Sequence, residues 1–194
     1  MPREQRVLSP IRLVEPAETD RVSGIEVSAP DEPLELDALY RRYAAYVAAV
    51  AHRLLGRDDD VDDTIQEVFL VAVRSLHTVR DPAAIKGWLA RITVRVARQR
   101  LRKRRLRAFL GFDQHVAYEC VVDLSATGEH RALLARVYRV LDSLPANQRI
   151  AWSLRYIEGE PLESVAELSG CSLATAKRRI ASAAKLLEET FADA

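Results

Sequence analysis

Residues 162–187 read LESVAELSGCSLATAKRRIASAAKLL, and this stretch decides the fold. Pro161 suits the start of a helix, where a missing N–H costs nothing, so a short helix is expected over residues 162–168. Ser169-Gly170-Cys171 then breaks the pattern, with a glycine suited to a tight turn. Ser172 is a good N-cap, and a longer helix is expected over residues 173–191. A short helix, a Gly-containing turn and a longer helix form the helix-turn-helix pattern. Ala166, Ala176 and Ile180 supply the small and apolar positions that let two such helices cross closely.

At about 100° per residue, Ala176, Ile180, Ala183 and Leu187 share one face of the longer helix, and Arg178 points nearly opposite. Lys177 and Arg179 sit on the flanks, with Thr175 and Ser172 near the start. A helix with a polar, basic N-terminal half fits the major groove, where Arg grips guanine bidentately. Lys177 and Arg179 are better placed for phosphates, which position without specifying sequence. A Lys-Arg-Arg run alone is more often a solvated face. The turn and short helix before it favour a DNA reader.

Upstream, helices are expected over residues 129–144, with Leu133, Val137, Val140, Leu141 and Leu144 inward, and over 146–157, closed by Gly159. Residues 109–128 lack a helical period and read as a flexible linker, with room for a short element near 116–122. Before it, three more helices are expected. The first, over 34–55, carries Leu36, Leu39, Tyr40, Tyr43, Val47, Val50 and Leu54 at helical spacing and stops at Gly56. The second follows the run Asp58-Asp59-Asp60, whose carboxylates favour a helix N-terminus. Its expected buried stripe is Val61, Ile65, Val68, Phe69, Ala72, Val73 and Leu76. The third has Asp81 as N-cap and Pro82 at its first position, with Ile85, Trp88, Leu89, Ile92 and Val96 inward. Residues 1–33, broken by five prolines, read as a disordered tail. The expected fold is all-α: two small helical domains at 34–108 and 129–194, joined by the flexible linker 109–128.

Charge sharpens this division. From Arg91 to Arg107 there are nine basic residues and no acid, although the chain's formal charge is only +1. Arg91, Arg95, Arg98, Arg102 and Arg105 share one stripe of the third helix, roughly 120° from its apolar stripe. That helix is expected to project into solvent, or along a partner, once the apolar stripe ends at Val96. Closely spaced like charges repel unless a polyanion relieves them, and nucleic acid is the polyanion this pattern favours. A membrane-surface helix would need bulky apolar residues opposite the charges along its whole length, and few follow Val96. Asp63, Gln66 and Glu67 form an adjoining exposed patch that basic residues of another protein can read. The acidic run lacks the spacing of a calcium loop, and Cys120 and Cys171 have no ligand neighbours, so no metal or cofactor is expected. The four histidines show no triad or metal spacing and no phosphate loop is present, which argues against an enzyme. No apolar run is long enough to span a membrane, and the N-terminus does not read as a signal peptide. A cytoplasmic protein without stable membrane insertion is expected.

Two blocks then become recognisable. DDDVDDTIQEVFLVAVRSL (58–76) with RDPAAIKGWLARITVRVARQRLRKRR (80–105) resembles the second conserved region of bacterial sigma factors. LDSLPANQRIAWSLRYIEGEPLESVAELSGCSLATAKRRIASAAKLL (141–187) resembles their fourth region. The order and the linker are similar to those of the extracytoplasmic-function group. The resemblance implies a promoter-specificity subunit of RNA polymerase: a region 2 helical bundle followed by a region 4 helix-turn-helix domain. It implies that Asp63, Gln66 and Glu67 bind the polymerase core. The stretch from His77 to Ala84, including Arg80, with Arg91, Arg95, Arg98 and Arg102, would recognise and open the −10 element. Ser172, Thr175, Lys177, Arg178 and Arg179 would read the −35 element. It also implies an anti-sigma factor as partner, beside core RNA polymerase and promoter DNA. Arg95 stands where the family usually has Asn, and Ala174 where Gly is common. The competing readings are a helix-turn-helix regulator that never joins polymerase, and a sigma-like protein that binds polymerase without initiating.

Overall fold

The computed structural model describes residues 36–56, 60–111 and 128–192, and among these every regular element is helical. The expected tail 1–33, and the segment near 116–122 where a short element was allowed, lie outside the described residues. The helices are α1 (Leu36–Leu55), α2 (Val61–Ser75), α3 (Ile85–Phe109), α4 (Gly128–Ser143), α5 (Ala146–Tyr156), α6 (Leu162–Leu168) and α7 (Leu173–Ala192). Two 3₁₀ turns, Leu76–Thr78 and Pro82–Ala84, connect α2 to α3.

Local chemistry sets these boundaries. Gly56 ends α1 at φ +66°, a left-handed conformation that L side chains rarely adopt. Asp81 accepts a hydrogen bond from the Ala83 N–H at 2.9 Å, and Pro82 opens the 3₁₀ turn that leads into α3. The Ser172 hydroxyl accepts from the Thr175 N–H at 3.3 Å and caps α7. Gly170 takes φ +59° in the turn between α6 and α7.

Burial departs from the sequence pattern at three places. Tyr40 and Val73, expected inward, are 47% and 44% exposed. Tyr40 lies on the edge of α1, where its ring meets Phe69 at 4.8 Å between centroids. The distal half of α3 does not project freely. Ala97 and Leu101 are buried, and Arg100 and Arg104 reach acids on neighbouring elements.

The two helical units lie against one another. One apolar cluster runs from Leu39, Val47 and Leu54 of α1 through Leu89 and Val96 of α3 to Ile150 and Leu154 of α5 and Ile180 of α7. A second gathers Val137, Leu141, Trp152 and Leu187 from α4, α5 and α7. Helix α5 therefore serves both clusters. A helical unit of this size buries too little surface for much stability of its own, and a shared core answers that shortage.

Candidate nucleic-acid and polymerase interfaces

Helix α7 exposes its basic face as the sequence predicts. Ala176, Ile180, Ala183 and Leu187 are buried, while Lys177 and Arg178 are exposed. Ser172 is exposed and its hydroxyl lies 2.9 Å from that of Thr175, so both residues stand at the N-terminal cap of α7. Arg179 is half-buried and leans toward α3, close enough to Arg98 to disfavour its charge.

The stripe on α3 is divided. Arg95 and Arg102 are exposed. Arg91 pairs with Glu167 of α6. Arg98 is half-buried, and its Nη2 donates to the Ser169 carbonyl at 2.8 Å. Burial pushes the Arg98 pKa down, and the charges of Arg179 and Arg102 push it further the same way. Arg91 also lines an open cleft of about 570 Å³ with Thr78, Val79, Arg80, Asp81 and Trp88. Arg80 is exposed at the rim. Arg95 does not line this cleft and lies one turn further along α3.

Asp63 and Gln66 are exposed on α2, and Glu67 is partly so. Arg100 reaches Glu67 at 3.2 Å, Asp63 at 3.4 Å and Asp60 at 3.7 Å, and Arg104 also pairs with Asp60. Arg100 and Arg104 were not singled out in the sequence. A signal existed: Arg100 follows Arg91 by nine residues, about 180° around a helix, on the apolar side beside Leu89 and Val96. A cation on that side needs a carboxylate, and the acidic run before α2 supplies it. Among the described residues no group of three or more His, Cys, Asp or Glu is placed to hold a metal ion. No helix of the described residues is long and apolar enough to cross a membrane.

Residues 39–107 match the Sigma-70 region 2 family, and residues 134–187 match Sigma-70, region 4. The RNA polymerase sigma factor SigV of Bacillus subtilis is 32% identical over 138 residues, covering 71% of this chain and 80% of that protein. The chain belongs to the RNA polymerase sigma factors of the extracytoplasmic-function group.

A second member of the group, the sigma-E factor of Haemophilus influenzae, is 31% identical over 160 residues, covering 77% of this chain and 84% of its own. Two solved structures share the fold. RpoE of Bartonella quintana, solved with the anti-sigma factor NepR, matches with a TM-score of 0.57 at 22% identity, over 77% of this chain and 92% of its own. CnrH, solved with the cytosolic domain of CnrY, matches with a TM-score of 0.53 at 26% identity, over 82% and 89%. This sigma factor is thus a transcription initiation factor that binds RNA polymerase core and directs it to promoters. The regulator that never joins polymerase is not favoured.

Proposed function

We propose how this sigma factor divides its work among named side chains. Asp63, Gln66 and Glu67 on α2 hold the polymerase core. Arg80, Arg91, Arg95, Arg98 and Arg102 follow the −10 element as it opens. Ser172, Thr175, Lys177, Arg178 and Arg179 read the −35 element, with Arg178 at base edges and its neighbours on the backbone. The two domains are 34–108 and 129–194, with 109–128 between them. The protein acts in the cytoplasm, carries out no catalysis of its own and is restrained by an anti-sigma factor.

The observation that carries this reading is the exposure of Lys177 and Arg178 on a helix whose opposite face is fully buried. A cationic ridge on a rigid helix, preceded by a capped turn, meets the geometric demand of major-groove reading. The cleft beside Trp88 adds an apolar wall and cations, Arg80 and Arg91, where an unstacked base has room. Arg91 and Arg98 reach DNA once their contacts with Glu167 and Ser169 are released.

Transcription in vitro with purified core polymerase on a promoter library tests the reading. Specific transcripts from promoters sharing a −35 and a −10 element are expected. Replacing Arg178 should shift the recovered −35 sequences and leave the −10 sequences unchanged. Transcripts that do not depend on the added protein would refute it.

A further inference from the structure

Two groups of exposed apolar side chains lie on the first domain, and the charges around them differ. On α2, Leu70 and Val73 are exposed and share a face with Asp63, Gln66 and Glu67, the residues assigned above to polymerase core. The second group stands at the end of α3. Leu106, Phe109 and Leu110 are 59%, 86% and 55% exposed, and no large apolar side chain among the described residues is more exposed than Phe109. Arg102, Lys103, Arg105 and Arg107 are interleaved with them and are exposed too. Arg100 and Arg104 hold acids, but among the described residues none of these four cations does. Residues 82–112 contain no Asp or Glu. At about 100° per residue, Arg102, Lys103, Leu106, Phe109 and Leu110 fall within one arc of about 120°. The buried Ala97 and Leu101 lie on the far side. The end of α3 is therefore a ridge on which apolar side chains and cations share one direction.

Three large apolar side chains held together in water favour a surface that covers them. Single-stranded nucleic acid would use the cations and could stack on Phe109, but it has little use for Leu106 and Leu110. An anionic bilayer uses all of them at once. Lipid phosphates draw the cations, and the boundary between headgroups and acyl chains receives Phe and Leu. Lys and Arg stems can lie along that boundary while their charged heads stay at headgroup level. The demand for apolar residues along the whole length applies to a helix lying flat on a membrane. A helix that docks by its end needs them only in its last turns, and α3 has them there. Such a contact is shallow, and no helix of the described residues crosses a membrane. Phe109 and Leu110 also lie beyond residue 107, where the match to Sigma-70 region 2 ends, and before residue 134, where the match to region 4 begins.

We infer that the end of α3 is a reversible docking surface for an anionic lipid bilayer, with Leu106, Phe109 and Leu110 at the acyl boundary and Lys103 and Arg107 on lipid phosphates. None of these five residues is assigned above to polymerase or promoter, so the inference stands apart from that reading.

The test is flotation of the full chain with vesicles made of equal parts phosphatidylglycerol and phosphatidylcholine, and with vesicles of phosphatidylcholine alone, at about 0.15 M salt. The native chain should bind the anionic vesicles about tenfold or more above the neutral ones. Leu106→Ser/Phe109→Ser should weaken that binding about tenfold or more at unchanged helicity, since both side chains are exposed. Lys103→Gln and Arg107→Gln should each weaken it about fivefold. A native chain that leaves anionic vesicles unbound overturns the inference. So does binding that Leu106→Ser/Phe109→Ser leaves intact, which would trace it to charge alone. The same variant reads two other occupants. If it loses a single-stranded oligonucleotide more steeply than vesicles, the ridge is a nucleic-acid surface. If the native chain forms a concentration-dependent dimer in sedimentation and the variant does not, the ridge receives a second copy. Either result overturns the lipid assignment.

Discussion

The two basic helices of this sigma factor differ more in their surroundings than in their sequences. On α7, Lys177 and Arg178 face solvent, and the helix is anchored through Ala176, Ile180, Ala183 and Leu187 on the far side. On α3 six of the arginines are sorted into three kinds. Arg95 and Arg102 are exposed, Arg91 (also exposed) and Arg98 contact the helix-turn-helix, and Arg100 and Arg104 are tied to acids near the start of α2. Density of charge along a chain therefore does not measure the charge available to a partner. What decides it is the angle around the helix, and what packs at that angle.

The largest expected effect separates the two helices. Arg178→Ala should cost about 1–3 kcal/mol of discrimination at one −35 position, up to about a hundredfold, with promoter opening on a fitting −10 element unaffected. Competitive binding of holoenzyme to −35 variants measures it. The next compares two arginines on one helix. Arg100→Ala removes the counter-charge of Asp60, Asp63 and Glu67 and should lower stability by about 1–2 kcal/mol, seen in thermal unfolding. Arg102→Ala should leave stability within about 0.5 kcal/mol and weaken promoter binding instead. Equal stability losses at both positions would erase the division of α3 into inner and outer cations. Lys177→Ala should weaken DNA binding about equally on all sequences and reduce the salt slope by about one.

The smallest expected effect concerns pH. Glu158, in the loop after α5, is buried and pairs with Arg53 of α1 at 2.7 Å. Burial pushes its pKa up, the nearby Glu160 charge adds to the rise, and the Arg53 charge and hydrogen bond oppose it. Tyr46 of α1 also faces this carboxylate and is itself driven far up, so it stays neutral. With its pKa above the ordinary value in the folded form, Glu158 takes up a proton on folding. Its unfavourable contribution is fully present above that raised pKa and disappears as pH falls through it. The stability of the native chain relative to Glu158→Gln should therefore rise as pH falls through that raised pKa, as thermal unfolding at a series of pH values can show.

Much of this architecture was legible because it is encoded locally. Gly56, Asp81, Ser172 and the Ser169-Gly170-Cys171 turn each act on backbone groups within a few residues, so their chemistry can be read where it stands. The face of α7 was legible for the same reason, since one helix carries both its buried anchors and its exposed cations. Arg149 was not. Within LPANQR it looks like an ordinary basic residue early in a helix, yet its carbonyl partner lies 94 residues away. Tyr40 and Val73 failed for a related reason. Periodicity gives the direction of a side chain and not whether another element arrives to cover it. The partnering of Arg91 and Arg98 likewise depends on how two domains meet, which no local pattern fixes.

The central claim is that α3 and α7 are separate promoter surfaces, one for opening and one for recognition. Permanganate reactivity of unpaired thymines tests it, in complexes formed with core polymerase by the native chain and by Arg98→Glu/Arg102→Glu. The account predicts that the variant assembles with polymerase and still protects the −35 element, while reactivity in the −10 region is lost. Native-level reactivity in the variant's complex would contradict it.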